Sequence, residues 1–221
     1  MRYLFDAVRY IATNLAFVAQ LFGEHLRMTV VALAIALLIA IPVGWLTSRV
    51  RWLRRPVLGV LGVIYTIPSL SLFVLLIPLV GLGFVPAIIA LVAYAQLVLV
   101  RNVVIGLTGI EPSIVEAARG MGMNGWQRFS RVELPLALPL LLAGARIATL
   151  SIIGIGTNAA FINAGGLGKL LFEGVATSNS PKIVAGAVAV SALAFGANAI
   201  LRFLERRSAL ALRGEEQASS S

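Results

Sequence analysis

Apolar residues along this chain fall in long blocks, not in the one-sided stripes of soluble helices. A helix that crosses a bilayer needs about 20 mostly apolar residues. Five blocks reach that length, near Met28–Thr47, Val57–Leu79, Val85–Val104, Leu136–Ile155 and Ile183–Phe203. The pattern predicts an all-α, polytopic membrane protein with about five transmembrane helices. Arg2 to Phe22 reads differently, because Asp6, Arg9, Asn14 and Gln20 interrupt its apolar residues. Each central charge costs ~2.5–3.5 kcal/mol on insertion scales, so this stretch fits a helix lying in the interface better than one crossing. The same interruptions argue against a cleavable signal. The expected organisation is therefore an interfacial, amphipathic segment at 1–25, a transmembrane domain at 26–207, and a polar, disordered cytoplasmic tail at 208–221.

Composition agrees with this reading. The 221 residues are 59% hydrophobic and only 12% charged, too few polar groups to cover a soluble core. The net charge of +9 acquires meaning from its placement. Arg49, Arg51, Arg54 and Arg55 follow the first block; Arg101, Arg119, Arg128 and Arg131 follow the third; Arg202, Arg206, Arg207 and Arg213 follow the fifth. The loop after the second block has no basic residue, and the segment after the fourth has only Lys169 and Lys182. The positive-inside rule then places the N-terminus outside and the C-terminus in the cytoplasm, with Arg2, Arg9 and Arg27 mildly opposing. No basic face with interleaved aromatics points to nucleic acid. There is no cysteine, and the single, peripheral His25 leaves no cluster for a metal. Nothing calls for a cofactor.

The largest cytoplasmic loop, about 106–135, is not a bland connection. Ser113 followed by Glu116 reads as a capping box, and Pro112 forces Glu111 out of helical geometry. Gly120 and Gly122 suit a helix stop. Asn124 with Gln127 can cap a second short helix, and Pro135 is tolerated in the first turn of the fourth span. The spacing predicts helix, glycine turn, helix and re-entry.

These residues also carry a resemblance. Glu116-Ala117-Ala118, Gly122, and Val132-x-Leu134-Pro135 are similar, in full register, to the signature loop of the membrane-spanning subunits of bacterial ABC importers. The resemblance implies a type I importer fold and a coupling helix docked in a groove of a separate ATP-hydrolysing subunit. Glu116 would pair with a basic group there, Ala117 and Ala118 would permit close packing, and Gly122 would set the turn. It further implies two ATP-binding subunits, a second permease subunit (identical or paralogous), an extracytoplasmic substrate-binding protein and a place in the bacterial inner membrane. "YTIPSLSLFVLLIPLVGLG" (65–83) and "TNAAFINAGGLGKLLFEG" (157–174) resemble permeases for glycine betaine, choline, carnitine and related osmoprotectants. Methionine-type permeases share the small five-span plan.

Polar residues within the apolar blocks are functional candidates because their burial is costly. Tyr65, Thr66, Pro68, Ser69 and Ser71 interrupt the second block, where Pro68 should kink the helix and line the pathway. Arg146 reads equally as a gate residue and as a partner for Glu133 or backbone carbonyls. Thr157, Asn158 and Asn163, with Gln96 and Asn102, serve helix packing or the pore. "NAGGLGKLL" only superficially resembles a phosphate loop: Asn163 and Leu170 break the pattern. Its glycines Gly165, Gly166 and Gly168 instead suit a tight external turn. A self-contained channel or secondary transporter would need acidic relays or repeats inside the spans, and a membrane enzyme would need a nucleophile–base pair or metal cluster. The sequence offers none of these.

Overall fold

The structure is a computed structural model that describes residues 2–219, and among them there is no strand. Ten α-helices follow one another: α1 (Arg2–Thr13), α2 (Leu15–Arg49), α3 (Arg51–Thr66), α4 (Ser69–Val80), α5 (Phe84–Thr108), α6 (Pro112–Gly120), α7 (Gly125–Arg128), α8 (Leu134–Gly156), α9 (Gly168–Ala176) and α10 (Ser180–Ser219). A π turn (Phe129–Glu133) joins α7 to α8, and a 3₁₀ turn (Thr157–Ile162) follows α8. By length and hydropathy, α2, α5, α10 and the run Gly125–Ile162 can each cross a membrane. The pair α3–α4, bent by 95° at its break, passes the same test only when the two helices are taken together.

The centre is α2 packed on α5, with α8 against both. What lets them approach is a stripe of small residues. Ala32, Ala36, Ala40 and Gly44 recur every fourth residue on one face of α2, and all four are buried. Apolar lipid gives helices no hydrophobic reason to associate, so close backbone contact through small side chains has to supply the attraction. Across the interface lie Ala87, Ala90, Leu91, Ala95, Leu99 and Val100 of α5, and Ala145, Ala148 and Ile152 of α8 complete the cluster. Gln96 spends its buried amide on the Ala36 carbonyl, 3.2 Å away.

One expectation changes here. Residues 15–25 form the first turns of α2, where Val18 and Leu21 pack on Ile153, Leu167, Leu170 and Leu193. Only α1, ending before Asn14, is a separate N-terminal helix, and it lies along α10. The second block is not one kinked span but two helices. Ile67 before the proline is extended (φ −64°, ψ 130°), and Pro68 is too (φ −56°, ψ 132°), so two consecutive residues leave helical geometry. The Tyr94 hydroxyl donates to the Ile67 carbonyl that the break leaves free. α10 is helical as far as Ser219.

A Cβ at Gly44 would stand 2.6 Å from Val103 Cβ, whereas one at Gly62 of α3 would meet nothing within 4 Å. Gly44→Leu should therefore cost ~1–3 kcal/mol of overpacking, while Gly62→Ala should stay within about 0.5 kcal/mol of the parent. Unfolding of the detergent-solubilised protein checks the contrast.

Candidate functional site

At one end of the bundle α6 and α7 form a compact cap. α6 begins at Pro112, with Glu111 in the extended geometry a proline imposes on its predecessor (φ −59°, ψ 130°). The Ser113–Glu116 box does not form: the N-cap position is Glu111, two residues before Ser113, Ser113 hydroxyl donates to Glu111 Oε1 at 2.6 Å, and no side chain caps α6. Proline at the first helical position fixes the start without it. The helix ends in a paired hydrogen-bond motif, Met123 N–H to Ala118 O (3.2 Å) and Gly122 N–H to Arg119 O (2.9 Å), with Gly122 at φ 76°. Asn124 and Gln127 form the expected reciprocal box, each bond 2.9 Å.

Of the signature residues, Glu116 and Ala117 face outward and Ala118 is buried. Exposed Ile114, Met121 and Trp126 flank them, the last two about 70% accessible (69% and 71%). Apolar side chains held open on a doubly capped loop make a contact surface. Leu134 packs beside Val103, Ala137 and Leu141, anchoring α8 to α5. Pro135 lacks an N–H and would clash with the carbonyl four residues back in a regular helix. The π turn before it widens the ladder: Leu134 N–H reaches Phe129 O.

Glu133, the last residue of that turn, is 1% exposed. Arg49 at the end of α2 pairs with its Oε2, and Arg128 Nε donates to Oε1 at 2.8 Å. Arg146 therefore does not use Glu133. Its Nε donates to Glu205 Oε2 at 2.9 Å and its Nη1 to Asn198 Oδ1 at 3.3 Å, both on α10. Arg146 lies near the middle of α8, so this pair ties α8 to α10 between the two ends.

At the α3–α4 break, Tyr65 is 41% exposed and stands edge-on to Tyr94, 6.1 Å between centroids. Thr66 hydroxyl donates to Val63 O at 2.7 Å. Asn158 Nδ2 donates to Ser69 Oγ at 2.9 Å, linking the break to the 3₁₀ turn. Thr157 hydroxyl bonds the Gly154 carbonyl, and Asn163 ends the turn in the left-handed region (φ 62°). Tyr65, Ser69 and Asn158 thus come together around one break, whereas Arg146 stands apart.

The opposite end from the cap holds residues that the pattern of blocks does not disclose. His25 is fully buried, not peripheral. Its Nδ1 accepts from Leu167 N–H at 3.3 Å, so Nε2 carries the proton given to Ile153 O at 3.1 Å. Glu24 Oε2 accepts from Gly166 N–H at 2.9 Å. Two adjacent side chains of α2 thereby hold two successive amides of the glycine turn, where Gly165 and Gly166 both have φ 82°. Beside it a cleft of about 420 Å³ is lined by Glu24, Asn163, Lys169, Phe172 and Glu173 among others. The signal for Glu24 and His25 is the rarity of polar pairs so near a span.

Long apolar helices, small-residue packing and a capped loop at one end fit a multi-pass membrane protein. Residues 32–209 match the family described as "Binding-protein-dependent transport system inner membrane component", and the chain belongs to that family. It is 40% identical over 205 residues to the osmoprotectant import permease protein OsmW of Salmonella typhimurium, covering 90% of this chain and 95% of that one. It is 38% identical over 185 residues to the glycine betaine/carnitine/choline permease OpuCB of Bacillus subtilis, covering 84% and 85%. Among solved structures, a chain of the inward-facing MetNI methionine ABC transporter aligns with TM-score 0.80 and 27% identity over 86% of this chain and 95% of that one.

Removing one partner of a low-dielectric ion pair strands the other charge. Arg146→Met and Glu205→Met should each destabilise, and the double variant should cost less than the sum of the two, with a coupling of ~0.5–3 kcal/mol. A double-mutant cycle on thermal unfolding measures it.

Proposed function

We propose that this chain is the permease subunit of an ATP-binding-cassette importer that moves a quaternary-amine osmoprotectant, such as glycine betaine, choline, carnitine or proline betaine, across the inner membrane. ATP hydrolysis belongs to a separate cytoplasmic subunit, two per complex. The observation that carries the reading is the cap: a loop braced at both ends that presents Glu116 and Ala117 between exposed Ile114, Met121 and Trp126. Such a surface suits a groove in a partner with a basic group for Glu116. Gly122, Leu134 and Pro135 then act by holding the loop's turn and its attachment to α8.

Two copies, or one copy and a paralogous permease, enclose the path. Apolar residues on α3 and α4 support this, since no residue of α3 is buried within the chain. The break at Pro68 is the favoured lining, with Tyr65, Thr66, Ser69, Thr157, Asn158 and Asn163 along it. A tyrosine face attracts a positive headgroup by its quadrupole. One exposed tyrosine gives only weak retention, which suits a permease that receives substrate from an extracytoplasmic binding protein. The substrate class rests on relatives at 36–40% identity whose names specify osmoprotectants, choline or carnitine. A methionine permease is the second reading, favoured by the 27% identical structural neighbour.

Glu116→Lys should abolish co-purification of the ATPase subunit and ATP-dependent uptake together; retention of both would sink the docking assignment. Wild-type complex with its binding protein in vesicles should take up labelled betaine, choline or carnitine. Uptake of methionine alone would reverse the substrate reading. Tyr65→Ala should lower uptake of a quaternary amine by about fivefold, the loss of ~1 kcal/mol of cation–aromatic attraction, with ATPase binding unchanged.

A further inference from the structure

We infer that Glu133 is the residue that makes α2 follow the cytoplasmic cap, and so carries the cap's motion to the broken helix α3–α4. The inference rests on the docking reading above. α6 makes its contacts chiefly with α7 and the π turn, not with the spans. Displacement of α6 must therefore leave the cap through α7 and that turn. One route runs directly into α8, which is continuous with the turn. The other crosses to α2, and Glu133 is its centre. Both carboxylate oxygens are engaged from opposite sides, by Arg128 of the cap and by Arg49 of α2.

An aromatic contact runs parallel to the ionic one. Phe129 of the π turn is buried and packs edge-on against Trp45 of α2 at 6.0 Å, and Trp126 of α7 lies 5.8 Å from Phe129. Arg49 lies 6.0 Å over the Trp45 ring. Yet beside these rings is an apolar hollow of about 350 Å³, lined by Ile41, Pro42, Trp45, Trp126 and Phe129. Apolar packing around a hollow allows sliding, because dispersion has no preferred direction. A carboxylate shared between two guanidinium groups does not slide, since each displacement lengthens a charge-assisted bond in a buried setting. The π turn is a weak place in the helical ladder. Without Glu133 the cap can swivel on that turn while α2 stays behind.

What α2 receives, α3 receives too. One residue, Val50, separates them, and its extended backbone (φ −110°, ψ 92°) makes a corner instead of a loop. The line of transmission is thus α6 to α7, Arg128 to Glu133 to Arg49, the Val50 corner, and α3 up to the break at Pro68. Glu133 is a positioning residue: it touches neither nucleotide nor substrate.

The test uses the full complex with ATPase subunits and binding protein, reconstituted in proteoliposomes, with uptake and ATP hydrolysis measured together. Glu133→Gln should keep the ATPase subunits and basal hydrolysis but lower substrate moved per ATP by about fivefold or more. Arg49→Gln, which leaves the Arg128 contact and threatens folding less, should lower the same ratio, and the double variant should be no worse than Glu133→Gln alone. An unchanged ratio in Glu133→Gln overturns the inference; if that variant fails to assemble, an unchanged ratio in Arg49→Gln does so. A wild-type complex that never retains the ATPase subunits overturns the docking reading first, and this inference with it.

Discussion

The fold depends on backbones lying close together along the Ala32, Ala36, Ala40 and Gly44 stripe of α2. In water, burial of large apolar side chains drives helices together; in lipid that force is absent. Small residues substitute contact area between main chains for contact between side chains. The arrangement is intolerant, because a stripe of alanines has no flexible ends to give way. It is also what lets α2, α5 and α8 act as one body, to which the cap, the glycine turn and the broken helix attach.

Around that body several polar groups are met by a partner from a distant part of the chain. Glu133 is met by Arg49, Arg146 by Glu205, His25 by Ile153 and Leu167, Asn158 by Ser69, and Gln96 by the Ala36 carbonyl. In a low dielectric an unmet group is expensive, so these bonds specify which helix faces which. They divide by position. Those at the two ends fix the cap and the glycine turn, and those between helices fix register.

Much of this is legible in the linear pattern. Five apolar blocks correspond to α2, α3–α4, α5, α8 and α10, because burial length and hydropathy are local properties. The Asn124–Gln127 box and the turn at Gly122 are legible for the same reason, since their partners lie within five residues. Partner choice is not local. Arg146 had Glu133 near it in sequence, but α8 carries the two toward different helices. His25 and Glu24 sit at a block's edge, and only the fold brings the turn at 165–167 onto them. Pro68 announced a kink; that the chain would turn through 95° depended on Ile67 also leaving the helix and on Tyr94 standing ready to bond its carbonyl.

The π turn at Phe129–Glu133 also governs which way the cap faces. A π turn is a regular helix with one residue inserted. Losing that residue would restore an ordinary ladder and rotate everything ahead of it by about 100° around the axis of α8. The cap would then present another edge, and the Glu133–Arg49 pair and the Phe129–Trp45 contact with α2 would be lost. One residue at this place sets the azimuth of the cap about the axis of α8.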